Sequence, residues 1–165
     1  MRALDRVYGG LFMEWMILPF KRYAEFSGRS RRMEFWMFTL FNIIVFIVLA
    51  ILIFGVMGAG QGMADQIDPA NPLSVYGVIF SGAGLLLVLY WLVALIPSIA
   101  VAVRRLHDRD MSGWWYLGFI VASMIPFVGI LASIAFLVIM LLPGTQGPNR
   151  FGPDPKDPSQ AAAFE

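Results

Sequence analysis

Residues Phe35 to Met57 read FWMFTLFNIIVFIVLAILIFGVM, and no side chain in this stretch carries a charge. At about 1.5 Å of rise per residue, a helix of this length extends about 35 Å, whereas the hydrocarbon core of a bilayer is about 30 Å thick. The stretch therefore predicts a transmembrane helix.

Two further stretches, residues 76–103 and 114–142, also lack Asp, Glu, Lys and Arg. As one helix the second of these would extend about 43 Å, and it contains Pro126 and Gly129 near its middle. It is either one helix kinked at Pro126 or a hairpin of two short helices that turns at residues 125–129. We favour the kinked helix, because neither arm of a hairpin reaches the roughly 17 residues that a full crossing needs.

The composition agrees with a membrane protein, since 59% of the 165 residues are hydrophobic, 14% are charged and the mean hydropathy is +0.73. A water-soluble domain does not carry so much apolar surface. We predict an all-α integral membrane protein, a small bundle of three transmembrane helices, or four if residues 114–142 form a hairpin. The net charge of +1 gives no indication of nucleic-acid binding, and the absence of cysteine excludes disulfides and thiolate chemistry.

The remaining segments flank the predicted transmembrane domain, residues 35–142. Residues 1–34 are a basic segment that begins with a predicted amphipathic helix at the membrane interface. Its apolar residues recur at helical spacing, and they are Leu4, Val7, Leu11, Trp15 and Leu18. Residues 143–165 are rich in proline and predict an extended tail with little packed structure.

The distribution of Lys and Arg predicts the orientation. Basic residues precede the first span and lie again between the second and third, whereas the first loop, residues 58–74, has none. By the positive-inside rule, the amino terminus and the second loop of this multi-pass membrane protein are cytoplasmic. Three spans place the tail outside, and a hairpin would return it to the cytoplasm.

Two segments combine arginine, an acid and tryptophan at the predicted cytoplasmic ends of the spans. They read FSGRSRRMEFW at residues 26–36 and RRLHDRDMSGWW at residues 104–115. One interpretation is simple anchoring of helix ends at the headgroup level. The other is that both segments converge on one basic pocket for an anionic lipid headgroup or a partner protein. The candidate residues are Arg29, Arg31, Arg32, Glu34, Trp36, Arg104, Arg105, His107, Asp108, Arg109, Asp110, Trp114 and Trp115.

Convergence of the two segments has consequences for pairing. We expect Glu34 within ion-pair reach of Arg104, Arg105 or Arg109, and the remaining arginines facing the headgroup layer. If the second helix continues beyond residue 103, Arg104 and Asp108 would also form an i,i+4 pair.

Catalytic and transport functions are the alternatives. His107, the only histidine, adjoins Asp108 and suggests a general base, with Ser112 as a nucleophile, in a small interfacial enzyme. A metal site would rest on one imidazole plus carboxylates, so we predict neither a metal ion nor a cofactor. A channel or transporter component is disfavoured by the absence of ionisable residues within the spans.

Four blocks of the chain resemble a known family. In order, FSGRSRRMEFW, VRRLHDRDMSGWW, IPFVG and PGTQGPNRFGPDP resemble the domain-of-unknown-function 805 family of YhaH-like bacterial inner-membrane proteins. The resemblance implies location and architecture, and it implies no activity, substrate or catalytic residue. From the two segments of arginine and tryptophan we predict a non-enzymatic module of the bacterial inner membrane that binds membrane lipids, anionic ones among them, a further copy of itself or another membrane protein.

Overall fold

The computed structural model describes residues 13–58, 67–79 and 82–156, and the regular structure in these ranges is helical. Residues 13–21 form a first helical segment. Within the same ranges follow α1 (Arg32–Gly58), α2 (Ser74–Ile79), α3 (Gly82–Asp108), α4 (Trp114–Ser123) and α5 (Val128–Leu141). The predicted all-α class is confirmed.

Helix α1 contains the whole of the predicted first span, residues 35–57. Its segment Arg32–Ile53 and the segment Gly84–Asp108 of α3 are long and apolar enough to cross a membrane. Many apolar side chains of α1 are exposed, for example Phe46 at 58% and Ile51 at 65%. An apolar surface of this kind is costly in water and is the normal exterior of a helix in lipid.

Helix α3 differs from the predicted second span at both ends. Residues 74–79 form the short helix α2, and α3 begins at Gly82 rather than near residue 76. At its other end α3 continues to Asp108, five residues beyond the predicted limit of Val103. The second arginine segment is consequently helical, which fixes the directions in which its charged side chains project.

Residues 114–142 form a hairpin, and our preference for one kinked helix is wrong. Helices α4 and α5 pack against each other. Phe136 of α5 contacts Tyr116 and Phe119 of α4, with ring centroids 5.9 and 5.4 Å apart. In the described residues, two helices of bilayer length are therefore accompanied by a hairpin of two shorter apolar helices.

The turn of the hairpin has a local cause. Pro126 lacks an N–H and disfavours helical geometry in the residue before it. Phe127 adopts φ 64° and ψ −45°, and the N–H of Val128 donates to the carbonyl of Pro126 at 2.8 Å, which closes a γ-turn. A Cβ on Gly129 would lie 2.6 Å from the carbonyl oxygen of Ser123, so the close return of the chain requires glycine. Our argument from length failed because two packed short helices need not each cross the bilayer.

The tail returns to the end of α3 that carries the arginines. The N–H of Thr145 donates to the carbonyl of Asp108 at 2.8 Å, and Asn149 and Gly152 exchange two backbone hydrogen bonds of 3.0 Å. Pro155 is buried. Two expectations are thus wrong: the proline content does not prevent packing in residues 143–156, and the tail does not lie on the side opposite the arginines.

The chain divides into two compact units. One is Leu40–Leu95, in which the hydroxyl of Tyr90 donates to Oδ1 of Asn42 at 2.7 Å. The rest of the chain forms the other, which we name the arginine unit. Its buried apolar residues include Phe38, Ala100, Val101, Leu106 and Met140.

Part of the predicted amino-terminal helix can be compared with the structure. Leu4, Val7 and Leu11 lie outside the described residues, as do residues 59–66 of the first loop. The described helical segment, residues 13–21, includes Trp15, whose ring lies 5.7 Å from the guanidinium carbon of Arg31. The amphipathic, interfacial character of the whole segment stays a prediction.

Candidate functional site

Asp108 lies at the centre of a buried charge cluster in the arginine unit. Its Oδ1 accepts a hydrogen bond from Nε of Arg29 at 3.0 Å and lies 2.9 Å from Nη2 of the same side chain. Its Oδ2 accepts from Nη1 of Arg105. Arg29 is 1% exposed, Asp108 2% and Arg105 0%. Two buried cations thus share one buried carboxylate.

A second pair links α1 with α3. Nη2 of Arg104 lies 2.9 Å from Oε1 of Glu34, and Oε2 of Glu34 accepts a 2.7 Å hydrogen bond from the hydroxyl of Ser30. The prediction that Glu34 reaches an arginine of the second segment is confirmed. The Arg104–Glu34 contact lacks hydrogen-bond alignment, so within the described residues the guanidinium is held by charge rather than by directed hydrogen bonds. The expected i,i+4 pair of Arg104 with Asp108 is wrong, because Arg29 and Arg105 occupy the Asp108 carboxylate.

Backbone carbonyls at the end of α5 and in the tail accept the remaining arginine N–H groups. Arg29 donates to the carbonyls of Thr145 at 2.5 Å and Gly147 at 2.6 Å. Arg105 donates to the carbonyls of Met140 and Leu142. In these hydrogen bonds only the donor is ionised, and an ionised acceptor in the same position would add the attraction of its own charge.

The candidates around the rim of the cluster make similar bonds to α5 and the tail. Arg31, half-buried, donates to the carbonyl of Pro155, and Arg109, also half-buried, donates to that of Pro143. The indole N–H of Trp36 donates to the carbonyl of Met140 at 3.4 Å. These three candidates therefore converge on one short part of the chain.

Four candidates are exposed. Arg32 donates one N–H to the carbonyl of Leu141 at 3.2 Å, and Asp110 pairs with Arg150 at 3.1 Å on the surface. Trp114 is 78% exposed and Trp115 54%. The structure therefore divides the predicted set into buried, half-buried and exposed residues. The expectation that the arginines left over from the Glu34 pair face the headgroup layer is wrong for Arg29 and Arg105.

His107 is buried beside the cluster. Its Nδ1 lies 3.1 Å from the carbonyl oxygen of Gly28, and its ring stacks on Phe151 at 3.9 Å with an interplanar angle of 4°. Its own carbonyl accepts a 2.9 Å hydrogen bond from the side chain of Asn149. Because the neighbouring Asp108 is bonded to Arg29 and Arg105, it does not orient this imidazole as a general base. In the described part of the chain no group of His, Asp and Glu is arranged to hold a metal ion.

Sequence reasoning missed the tail as a component of the site. Gly144, Thr145, Asn149 and Phe151 all contact or approach the two segments. A Cβ on Gly144 would lie 2.0 Å from Oδ2 of Asp108, so glycine is required there. The available signal was the block PGTQGPNRFGPDP, which supported the family resemblance but was given no structural role.

Local hydrogen bonds lower the pKa values of two carboxylates that lie outside the long helices, Asp154 and Glu25. The backbone N–H of Lys156 lowers the pKa of Asp154, and the N–H of Gly147, 3.0 Å from Oδ2, lowers it further. A bidentate contact from Arg22, at 2.6 and 2.8 Å, lowers the pKa of Glu25. Because both folded pKa values lie below the ordinary ones, both groups stabilise the fold above the ordinary pKa, and this contribution is lost as the pH falls through the folded pKa.

A helical chain with two apolar helices of bilayer length and a charge cluster gathered at one end belongs to the class of helical membrane proteins. The family described as "Protein of unknown function (DUF805)" matches residues 23–153, and the chain belongs to this family. The resemblance predicted from the four sequence blocks is confirmed.

Three relatives in Escherichia coli (strain K12) match the chain, and two of them are named as inner membrane proteins. The chain is 40% identical to "Inner membrane protein YhaH" over 146 residues, covering 87% of this chain and 98% of that protein. It is 38% identical to "Inner membrane protein YhaI" over 144 residues, with 87% and 97% covered. It is 31% identical to "Uncharacterized protein YiiR" over 151 residues, with 81% and 87% covered. No solved structure matches.

Proposed function

We propose that this protein is a non-enzymatic, multi-pass module of the inner membrane that binds anionic lipid headgroups, with its arginine end in the cytoplasm. One observation carries the proposal: Arg32 is exposed at the start of α1, where the helix becomes an exposed apolar surface. A cation in that position lies where headgroup phosphates meet the hydrocarbon.

Two further exposed residues support the proposal. Lys21 is exposed at the end of the first helical segment, and Trp114 is 78% exposed at the start of α4. Indole rings partition to the headgroup level, and a basic residue close to an anionic leaflet contributes about 1 kcal/mol of attraction. We name Lys21, Arg32 and Trp114 the exposed rim.

The buried cluster has a different role in this proposal. Arg29, Arg104 and Arg105 form ion pairs with Asp108 and Glu34 inside the protein, so their role is to stabilise the fold at this end of the helices. The lipid contacts fall to the rim. Orientation follows the positive-inside rule, since the basic residues lie at this end of both long helices.

The test measures lipid retention. The full chain is reconstituted into vesicles of phosphatidylcholine and phosphatidylglycerol and then extracted in mild detergent. Native mass spectrometry counts the phosphatidylglycerol molecules that stay bound. We expect the double variant Lys21→Gln with Arg32→Gln to lower its affinity about fivefold per charge removed, from about 1 kcal/mol each. Arg150→Gln is the matched control, because that arginine is already paired with Asp110.

Equal retention of phosphatidylglycerol and phosphatidylcholine by the wild-type chain would contradict lipid selectivity. A loss per charge removed in Arg150→Gln as large as in the double variant would contradict the assignment to the rim, because it would indicate a response to total charge alone.

A further inference from the structure

The buried cluster has more cationic donors than anionic acceptors. Arg29 and Arg105 are both at most 1% exposed and share the single carboxylate of Asp108. Nearby, Nε of Arg109 is shielded from solvent and has no hydrogen-bond partner in the described part of the chain. A buried cation without a matched anion is costly, so this end of the arginine unit has an excess of buried positive charge that an anion would neutralise.

Neutral carbonyls fill the positions where an anion would bind. The carbonyls of Thr145 and Gly147 are both presented to Arg29, two oxygens facing one guanidinium as the oxygens of a phosphate would. Leu142 and Pro143 present carbonyls to Arg105 and Arg109. An oxyanion would make the same bonds with added charge.

The tail segment that supplies these carbonyls has no helix or strand across residues 142–148. It is tied down by separate contacts further along, chiefly the hydrogen bond of Asn149 to the carbonyl of His107 and the stack of Phe151 on the His107 ring. These two contacts do not involve Arg29, Arg105 or Arg109. We name residues 142–148 the strap. Substitution of Asn149 or Phe151 should weaken the attachment of the strap without changing the arginine cluster.

We propose that Arg29, Arg105 and Arg109 form an oxyanion site of phosphate type, and that residues 142–147 occupy it in the closed state through the carbonyls of Leu142, Pro143, Thr145 and Gly147. The ligand and the tail then compete for the same N–H groups. This site is distinct from the exposed rim and does not depend on the lipid selectivity proposed above. Its anion is either a lipid headgroup phosphate or a free phosphate, and the two sources are separable by experiment.

The experiment follows hydrogen exchange of the tail amides in the full chain, held in nanodiscs of phosphatidylcholine. The readouts are Thr145, whose N–H donates to the carbonyl of Asp108, and Gly147, whose N–H donates to Asp154. In one arm inorganic phosphate replaces chloride at constant ionic strength. In the other, phosphatidylglycerol replaces part of the phosphatidylcholine. Faster exchange is expected in the arm that supplies the ligand.

A strap variant distinguishes competition from a distant effect. Asn149→Ala removes one tether and should lower the anion concentration for half-maximal opening about fivefold, the equivalent of the roughly 1 kcal/mol contributed by one hydrogen bond. Phe151→Leu, which weakens the stack, should act in the same direction and serves if Asn149→Ala does not fold. Asn71→Ala is the matched control, since that side chain bonds only within its own loop among the contacts described, to the N–H of Leu73.

The outcomes are separable. Opening by phosphate identifies a free oxyanion, and opening by phosphatidylglycerol alone identifies a headgroup. Unchanged exchange in both arms overturns the proposal and makes the tail a permanent closure. Opening at the same anion concentration in Asn149→Ala, Phe151→Leu and wild type also overturns it, because the anion would then act elsewhere. Neither result bears on the exposed rim, which is tested through Lys21 and Arg32.

Discussion

The arginine cluster buries charged side chains, whereas the α4–α5 hairpin exposes apolar ones. In the cluster, Arg29, Arg105 and Asp108 are at most 2% exposed, whereas in the hairpin Met124 is 79% exposed and Phe127 84%. A soluble protein shows the reverse distribution. The difference indicates two environments: hydrocarbon gives no reason to hide apolar side chains, while charges must find partners inside the protein.

The largest expected effect concerns the side of the membrane on which each region lies. Because the chain has no cysteine, single-cysteine variants are unambiguous. We expect Gln146→Cys in the tail and Asp110→Cys before α4 to react with a membrane-impermeant maleimide from the same side. Phe127→Cys at the turn should not react, since the apolar turn lies in hydrocarbon. Reaction of Gln146→Cys and Asp110→Cys from opposite sides would restore a single crossing over residues 114–142.

A large energetic effect is expected at the centre of the cluster. Asp108→Asn removes the carboxylate shared by Arg29 and Arg105, and breaking a buried ion pair costs about 3 to 5 kcal/mol. The measurement is the free energy of unfolding by denaturant in mild detergent. Asp110→Asn, which disrupts the exposed pair with Arg150, is the control and should cost under about 1 kcal/mol. Similar costs for both variants would show that burial in the cluster has no energetic consequence.

A smaller effect is expected where the tail backbone approaches Asp108. Gly144→Ala places a methyl group 2.0 Å from Oδ2 of Asp108, and such overpacking costs about 1 to 3 kcal/mol. Gly118→Ala in α4 meets no atom within 4 Å and should change stability by under about 1 kcal/mol. The same denaturation measurement applies. An unchanged stability for Gly144→Ala would mean that the tail does not seal the cluster as the structure describes.

The sequence predicted the long helices well and the last one poorly, for identifiable reasons. In residues 35–57 length and absence of charge point to the same helix, which α1 confirms. In residues 114–142 the length favoured one span while Pro126 and Gly129 favoured a turn, and we gave the length more weight than the backbone. The local backbone decided the outcome. The γ-turn at Pro126 and the close contact of Gly129 with Ser123 depend on neighbouring residues and not on the thickness of the bilayer.

The candidate site was predicted in part. The pairing of Glu34 with the second segment followed from placing both arginine segments at one end of the helices, and it is confirmed with Arg104. The choice of partner for Asp108 did not follow, because an i,i+4 rule describes an isolated helix and takes no account of Arg29 from another element. The contribution of the tail depends on backbone carbonyls, which every residue possesses and no side-chain pattern reveals.

By itself the sequence determined that the chain is helical and apolar, that it belongs with inner-membrane relatives and that its cations gather in two segments, since composition and charge spacing are properties of the chain alone. The tertiary structure decided which cations are buried and which are exposed. Arg29 and Arg32 stand three residues apart, yet one is enclosed by Asp108 and the tail while the other lies on the surface. That distinction arises from long-range contacts with residues more than 70 positions away, and a charge acquires its function from the partners that fold against it.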